Sequence, residues 1–397
     1  MNTSPNNWDQ KTFGEFISIK RGYDLTSQQR KTGNVPVFGA AGHNGYHNES
    51  KVKAPGIVIG RSGGSFGQVH FATKDFWPHN TAMYVTDFKG NDPYFAFYLL
   101  KLLDFSALNS GSAQPSLNRN FLYPVKVRTP KPCVQAKIGK LLRNLDEKIE
   151  LNNKINAELE AMAKLIYDYW FVQFDFPDAN GKPYKSSGGK MVYNEELKRE
   201  IPEEGWDCGY IDEECTVKNG FAFKSESYTN TGYTIVRTKN FVRGSVELGD
   251  MAYISHDEAK KFERYNLNKF DFLLVMVGAS VGKNVVVNSN ILPALQNQNM
   301  WCFRSKHSVQ HFTNQLLKRI VIEQLSTSSG SAREFFKKAS FKESKFANPD
   351  LSLKRLFCEK VESVFDRIDI IKNENQKLIE LRDWLLPMLM NGQVTVK

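Results

Sequence analysis

From Ile138 onward the chain places a nonpolar or amide side chain at steps of mostly three and four: Ile138, Leu142, Leu145, Ile149, Asn152, Asn156, Leu159, Met162 and Ile166. No glycine or proline interrupts residues 140–170, and Lys, Glu, Asp and Arg fill the positions between. That period predicts a long helix with one apolar seam and solvated flanks. The series returns at Phe357, Val361, Val364, Ile368, Ile371, Asn375, Leu378, Leu381 and Leu385, each 219 residues later. Each helix is expected to begin just after a proline, Pro130 or Pro349, a favourable residue at a helix start. Two such helices are expected to pair as a coiled coil, with Leu142, Leu145, Ile149, Asn156 and Leu159 of the first and Val361, Val364, Ile368, Asn375 and Leu378 of the second in the seam. Asn156 and Asn375 sit at equivalent places, where a buried polar side chain can fix register at some cost in stability. A helix of about 40 residues spans roughly 60 Å, longer than one small domain covers, so the pair is expected to act as a spacer.

The helices close a longer repeat. Trp8 and Ile19-Lys-Arg-Gly-Tyr23 match Trp206 and Val217-Lys-Asn-Gly-Phe221 at an offset of 198, and Gly63-Gly-Ser-Phe-Gly67 matches Gly278-Ala-Ser-Val-Gly282 at 215. Asn80-Thr-Ala-Met83 against Asn297-Gln-Asn-Met300, and Leu99-Leu-Lys101 against Leu316-Leu-Lys318, follow at 217. Gly111-Ser-Ala113 with Gly330-Ser-Ala332, and Pro130 with Pro349, complete it at 219. An offset that drifts slowly in one direction points to duplication of a whole domain plus its helix, not to a short solenoid repeat. Antiparallel pairing of the helices would put the two globular domains at opposite ends of the coil, related by an approximate two-fold axis. Residues 171–205, rich in turn formers such as Pro177, Gly181, Pro183, Gly188 and Gly189, are expected to be a connecting loop.

Charge follows the repeat. Residues 1–129 carry 14 basic against 8 acidic side chains and residues 206–348 carry 19 against 14, while residues 130–170, 171–205 and 349–397 come to +1, −2 and 0. Two separate basic blocks fit a polyanion that touches both, since phosphate neutralisation drives affinity for nucleic acid. The five cysteines are scattered without a CxxC pair, so neither a disulfide framework nor a zinc site is expected. The polar start and the lack of a long apolar run predict a cytoplasmic protein without a membrane span.

Particular segments are similar to a known family. A Trp-led domain, a helix ending Tyr167-Asp-Tyr-Trp-Phe-Val-Gln-Phe-Asp-Phe176, the segment Ile201-Pro-Glu-Glu-Gly-Trp206 before a second such domain, and a helix finishing Leu385-Leu-Pro-Met-Leu-Met-Asn-Gly392 resemble the specificity subunit of type I restriction-modification systems. The likeness runs over essentially the whole chain; the second Glu after Pro202 is one residue more than the family usually has there. It implies an α+β fold with two similar target recognition domains, 1–129 and 206–348, separated by two long helices, 130–170 and 349–397, that form an antiparallel coiled coil with pseudo-two-fold symmetry and a linker at 171–205. It also implies that each domain reads one half of a bipartite asymmetric site in double-stranded DNA. The helices would hold two methyltransferase subunits, and restriction/translocase subunits would join them. S-adenosylmethionine, ATP and magnesium would then belong to those partners, with no cofactor, metal or catalytic residue on this chain.

Base edges and phosphates are met by Arg, Lys, Asn and Gln, so loops rich in these types are the candidates for DNA contact. In the first domain they are Lys20, Arg21, Tyr23, His43, Asn44, Arg61, Ser62, Gly63, Gly64, His79, Asn80, Ser112, Gln114, Asn118 and Arg119. The second offers Lys218, Asn219, Lys224, Arg237, Lys239, Lys283, Gln296, Asn297, Gln298, Asn299, Ser331 and Arg333. Catalytic motifs fail on inspection. Gly278-Ala-Ser-Val-Gly-Lys283 lacks a glycine at Val277 and a Ser or Thr at Asn284 for a phosphate-binding loop. Asn91-Asp-Pro-Tyr94 lacks one proline of the adenine-methyltransferase signature and any glycine-rich cofactor loop, and is expected to start a helix. Pro177-Asp178 with Glu196-Leu-Lys198 has the residues of a metal-dependent nuclease but falls in the linker. The competing readings are an enzyme that modifies DNA by itself and a scaffold whose basic faces meet acidic proteins.

Overall fold

A computed structural model describes residues 8–109, 116–242, 244–327 and 337–396. The chain divides into two units, one of residues 1–151 and 377–397, the other of residues 152–376. Among the described residues no helix is long and apolar enough to cross a membrane.

In the first unit Asp9–Thr12 pairs antiparallel with Lys126–Thr129. Four antiparallel strands follow in the order Ser18–Arg21, Ala82–Asp87, Gly56–Gly60, Val69–Ala72. A smaller sheet sets Val35–Gly39 between Gly42–His47 and Trp77–Pro78, the last of these parallel to it. The run Gly56-Ile-Val-Ile-Gly60 is buried throughout, as expected of a strand covered on both faces. Ile57 and Ile59 face a core with Phe13, Phe16 and the helix Pro93–Leu102, while Val58 faces a second cluster with Phe76 and Tyr84. Asp92 caps that helix by accepting the Phe95 amide at 2.8 Å, with Pro93 in the first turn. Asn91 is buried and donates to the carbonyls of Phe16 and Phe88. The Asn-Asp-Pro-Tyr segment is therefore a helix start, as its sequence suggests.

The second unit repeats this plan. Trp206–Tyr210 pairs with Lys345–Pro349, and the four-stranded sheet runs Cys215–Asn219, Met300–Ser305, Phe272–Val275, Asn284–Val286. Its three-stranded sheet sets Tyr233–Val236 between Ala252–Ile254 and Ala294–Gln296, again with one parallel pair. Helix Gln310–Thr327 stands where Pro93–Leu102 stands in the first unit. The hairpin Phe241–Val242 with Ser245–Val246 and the helical turns from His256 to Tyr265 belong to the second unit's own surface.

Backbone bonds correct the register of the repeat at one place. The Tyr23 amide donates to Pro78 and the His79 amide to Phe38, just as the Phe221 amide donates to Gln296 and the Asn297 amide to Val236. His79 therefore corresponds to Asn297, and Met83 to Trp301, at an offset of 218. The Asn80/Asn297 and Met83/Met300 identities lie one residue out of register, and in a strand a slip of one turns a side chain to the opposite face.

The long helices are Pro132–Tyr167 and Leu351–Met390. Within the first unit Ile138 and Leu142 share a core with Leu389 and Met390, and Asp146 accepts from Arg382 at 2.8 Å. Within the second, Asn152 pairs with Asn375, Glu160 with Lys372 and Tyr167 with Phe357. The order runs antiparallel in both. Leu142, Ile149, Asn156, Val361, Val364, Ile368 and Asn375 are buried, and Leu145, Leu159 and Leu378 are half-buried. Met162 and Leu381 depart from the expected seam: they are exposed, and the next residue of each helix, Ala163 or Arg382, turns inward instead. Asn375 bonds both Asn152 and Asn153, at 2.8 and 2.9 Å. Asn156 keeps a buried side-chain oxygen without a partner among the described residues; the repeat places Ile371, which has no polar group, where Asn152 would answer it.

Residues 171–205 are not the expected loop. Phe171, Phe174, Phe176 and Ile201 are buried around Trp206 in the core of the second unit. Met191–Asn194 and Arg199–Pro202 form a hairpin. Turn-forming residues misled the reading because they alternate with aromatic ones, which supply burial enough to order the segment. The nuclease-like residues are used structurally. Asp178 closes a turn by accepting the amides of Asn180 and Lys182, both at 2.8 Å, and Glu196 binds Tyr210 and Lys345. Among the described residues no cluster of His, Cys, Asp and Glu could hold a metal ion.

Candidate nucleic-acid interface

In each unit several of the candidate residues lie near the place where strand ends of the two sheets cross. Gly22 makes the crossing possible in the first: a Cβ there would lie 2.2 Å from the His79 carbonyl oxygen. Gly220 does the same in the second, at 1.8 Å from the Asn297 oxygen. No larger residue fits these positions without a backbone shift.

Around the first crossing Lys20 and Arg21 are exposed on the edge strand Ser18–Arg21, and Arg21 Nε donates to the Asn80 carbonyl at 3.3 Å. The Asn80 amide group binds the Asp24 carboxylate. Arg61 leaves the central strand with its amide donating to Thr81 and its carbonyl accepting from Leu117, which brings Asn118 and Arg119 nearby. His79 shares a hydrogen bond of 3.1 Å with the Thr81 hydroxyl. Asn44 approaches from the smaller sheet, its side-chain nitrogen 3.8 Å from where a Cβ of Gly39 would stand, and the Thr81 hydroxyl is 3.2 Å from the same point. His43 is exposed on the same strand. Ser62 bridges to Ser116, and Gly63 and Gly64 form a turn. Tyr23 is half-buried. Its ring lies between Trp77 and Tyr84, and its hydroxyl meets that of Tyr84 at 3.0 Å. Asn118 caps a short helix through the Asn120 amide. Ser112 and Gln114 lie outside the described residues.

Arg61 is half-buried and its Nε, shielded from solvent, has no hydrogen-bond partner among the described residues. Burial first, and then the Arg21 charge, pull its pKa below the usual guanidinium value. A cation held beside another cation, with no carboxylate paired to it among the described residues, is matched to an anionic or acceptor-rich ligand.

The second crossing is built from different side chains. Lys218 and Asn219 are exposed on the edge strand, and the Asn219 oxygen accepts from Lys338 at 3.3 Å. Gln296 is buried and donates to the carbonyls of Lys218 and Met300, so it latches strands together and cannot reach a base. Asn297 is half-buried and accepts the Gln298 amide; Gln298 and Asn299 stand on the exposed turn that follows. Arg237 and Lys239 are both engaged by Asp250, which takes up charge a phosphate would otherwise meet. Lys224 and Lys283 are exposed. Ser331 and Arg333 lie outside the described residues.

Sequence reading missed two features. Tyr46 is exposed beside His43, ring centroids 4.7 Å apart, on a strand whose ends, Gly42 and His47, are buried. The long helices also carry apolar residues away from their seams: Leu151, Met162 and Leu165 are 52%, 42% and 66% exposed, and Ile370, Leu381 and Trp384, each 219 residues on, are 56%, 43% and 58% exposed. The offset that reveals the seam would have revealed these pairs too.

A family model of the type I restriction modification DNA specificity domain matches residues 5–161 and again residues 203–380. The chain belongs to that family. The specificity subunit of the type I restriction enzyme MjaIX from Methanocaldococcus jannaschii is 27% identical over 316 residues, covering 76% of this chain and 69% of that protein. The MjaVIII specificity subunit of the same organism is 21% identical over 417 residues, with 99% and 94% covered. Among solved structures, the S subunit of a type I restriction-modification system from M. genitalium matches with a TM-score of 0.62 at 18% identity, over 98% of this chain and 97% of that one. At that identity the likeness is one of fold.

Proposed function

We propose that this chain reads a bipartite DNA site for a type I restriction-modification enzyme, with residues 1–129 contacting one half-site and residues 206–348 the other. The observation that carries this reading is one topology built twice with different side chains at the crossings. A common scaffold gives two readers; Arg21, Arg61, Asn44 and Asn80 in one and Lys218, Asn219, Gln298 and Asn299 in the other give them different targets. The long helices space the readers and dock two methyltransferase subunits. Support for the docking comes from the apolar pairs off the seams, Leu151/Ile370, Met162/Leu381 and Leu165/Trp384, since a surface present twice suits two copies of one partner. S-adenosylmethionine, ATP and magnesium act on the methyltransferase and restriction subunits, and this chain supplies no catalytic group. Its place of work is the cytoplasm, where the DNA is.

Methylation assays on duplex DNA discriminate the readings. The chain alone should bind DNA weakly, lose affinity steeply with salt and transfer no methyl group; with its methyltransferase subunit it should modify one bipartite motif. Methyl transfer or cleavage by the purified chain alone would make it an enzyme in its own right and refute the proposal.

A further inference from the structure

The repeat separates positions that the two units share from positions that they do not. Shared are the turns Gly63-x-Ser65-x-Gly67 and Gly278-x-Ser280-x-Gly282, in which all four glycines take positive φ, at 79°, 75°, 84° and 84°. Each turn is anchored alike, the Gly67 amide on Gly60 and the Gly282 amide on Val275. A feature kept in both units suits what is common to any two half-sites, the sugar-phosphate backbone. Arg61 belongs to the other set. Its amide donates to Thr81 at 3.1 Å as that of Met276 donates to Asn299 at 3.2 Å, so the backbones coincide in the repeat. Yet one side chain is a five-donor fork and the other has no donor.

We propose that Arg61 reads a guanine in the half-site met by the first unit. The assignment rests on the reading of the chain as a bipartite DNA reader. Three observations carry it. The side chain is packed half-buried against the strand crossing, which holds the rest of its guanidinium fork in place at the site. Arg21, the cation beside it, is exposed and turns its Nε to the Asn80 carbonyl, whereas Arg61 is the arginine packed into this crossing. A phosphate stands in every half-site and would call for the same residue twice, whereas Met276 can make no such contact. Guanine O6 and N7 form the base-edge acceptor pair that the guanidinium fork fits in the major groove.

The test is methylation mapping in cells that carry the complete system with wild-type chain, Arg61→Met or Arg61→Gln, together with salt titrations of DNA binding by the purified complexes. In both variants one guanine of one half-site should lose its preference by roughly 5- to 150-fold. Arg61→Gln should favour adenine there, the other half-site should stay unchanged, and so should the salt slope. An unchanged motif overturns the assignment. If binding also weakens uniformly and the slope flattens by about one unit, Arg61 holds a phosphate instead. Failure of both variants to fold would make the position structural and would overturn it as well. A wild-type complex that marks no bipartite motif would strike at the functional reading itself, a result distinct from all of these.

Discussion

Where each long helix begins, it is tied to its own unit by a buried polar node, and the two nodes are chemically different. Lys354 and Gln135 occupy equivalent positions at the offset of 219. Lys354 Nζ lies 2.6 Å from Glu214 Oε2, with the side chains only 6% and 1% exposed, and Glu214 Oε1 accepts the Thr313 hydroxyl at 2.8 Å. Gln135 is neutral and joins the Asn91 side chain, the Pro130 carbonyl and the Asp92 amide. Replacing Lys354 by Met strands a carboxylate where water cannot reach it, which costs about 3–5 kcal/mol. For a unit of this size that is a fall in melting temperature of about 6–20 °C. Replacing Glu214 by Met as well removes the stranded charge, and Thr313 keeps its second bond to the Val309 carbonyl at 3.1 Å, so the double variant should regain most of the loss. In the other unit Gln135→Met leaves neutral partners and should cost about 1–3 kcal/mol. Calorimetry of Lys354→Met, Glu214→Met, their double variant and Gln135→Met beside wild type measures all of this. A double variant as unstable as the sum of its singles, or a Lys354→Met chain within 1 kcal/mol of wild type, would refute the account of the node.

Other outcomes follow from the same geometry. Leu165→Glu with Trp384→Glu should change stability by about 0.5 kcal/mol or less per site, since both side chains are exposed, and should abolish co-purification of the methyltransferase subunit; retained assembly would show that the partner docks elsewhere. His311 is stacked on Phe365 and flanked by Phe270, and burial holds its pKa down to about 4. The folded chain thus binds this proton less readily than the unfolded one, so stability is full above about pH 6.5 and falls by about 3 kcal/mol as pH drops towards 4; denaturant titrations of His311→Phe should lose that part of the slope, and an unchanged slope would clear the residue of the effect. Exchanging residues 8–129 for the matching domain of another system should alter one half-site of the methylated motif, whereas removing seven residues from each long helix should alter only the spacer. Loss of half-site preference in the shortened chain would contradict that division of labour.

The seam could be read because its period depends on the helix alone; only Met162 and Leu381 drifted out, as a helix of 3.6 residues per turn drifts from a repeat of 3.5. The strand register was harder. Asn80/Asn297 and Met83/Met300 look like matches, but a strand is fixed by which carbonyl its amide meets, and those bonds join residues far apart in the chain. For the same reason Gln296 passed for a surface residue. It has the side chain of a DNA contact and the surroundings of a core residue, supplied by the Lys218 and Met300 carbonyls. The segment 171–205 failed differently, because its prolines and glycines were weighed without Phe171, Phe174 and Phe176, whose burial around Trp206 outweighs them.

Duplication sorts the positions of the two units into two kinds. A position whose backbone bonds recur in both units and whose side chain also recurs, such as Gly22/Gly220 or Ser65/Ser280, answers to the fold or to what every DNA offers. One whose backbone bonds recur while its side chain does not, such as Arg61/Met276, is free of the fold's demands and open to selection by sequence. The division needs the bond-defined register: with the offset of 217 suggested by residue identity, Asn80 would be set against Asn297 and taken as shared. At 218 it faces Gln298, and the pair Asn80/Gln298 moves into the set that tells the half-sites apart. Because both are amides able to pair with adenine, the half-sites should differ more sharply at the base met by Arg61 than at the bases met by this pair, an ordering that the mapped motif of the wild-type enzyme and its variants can contradict directly.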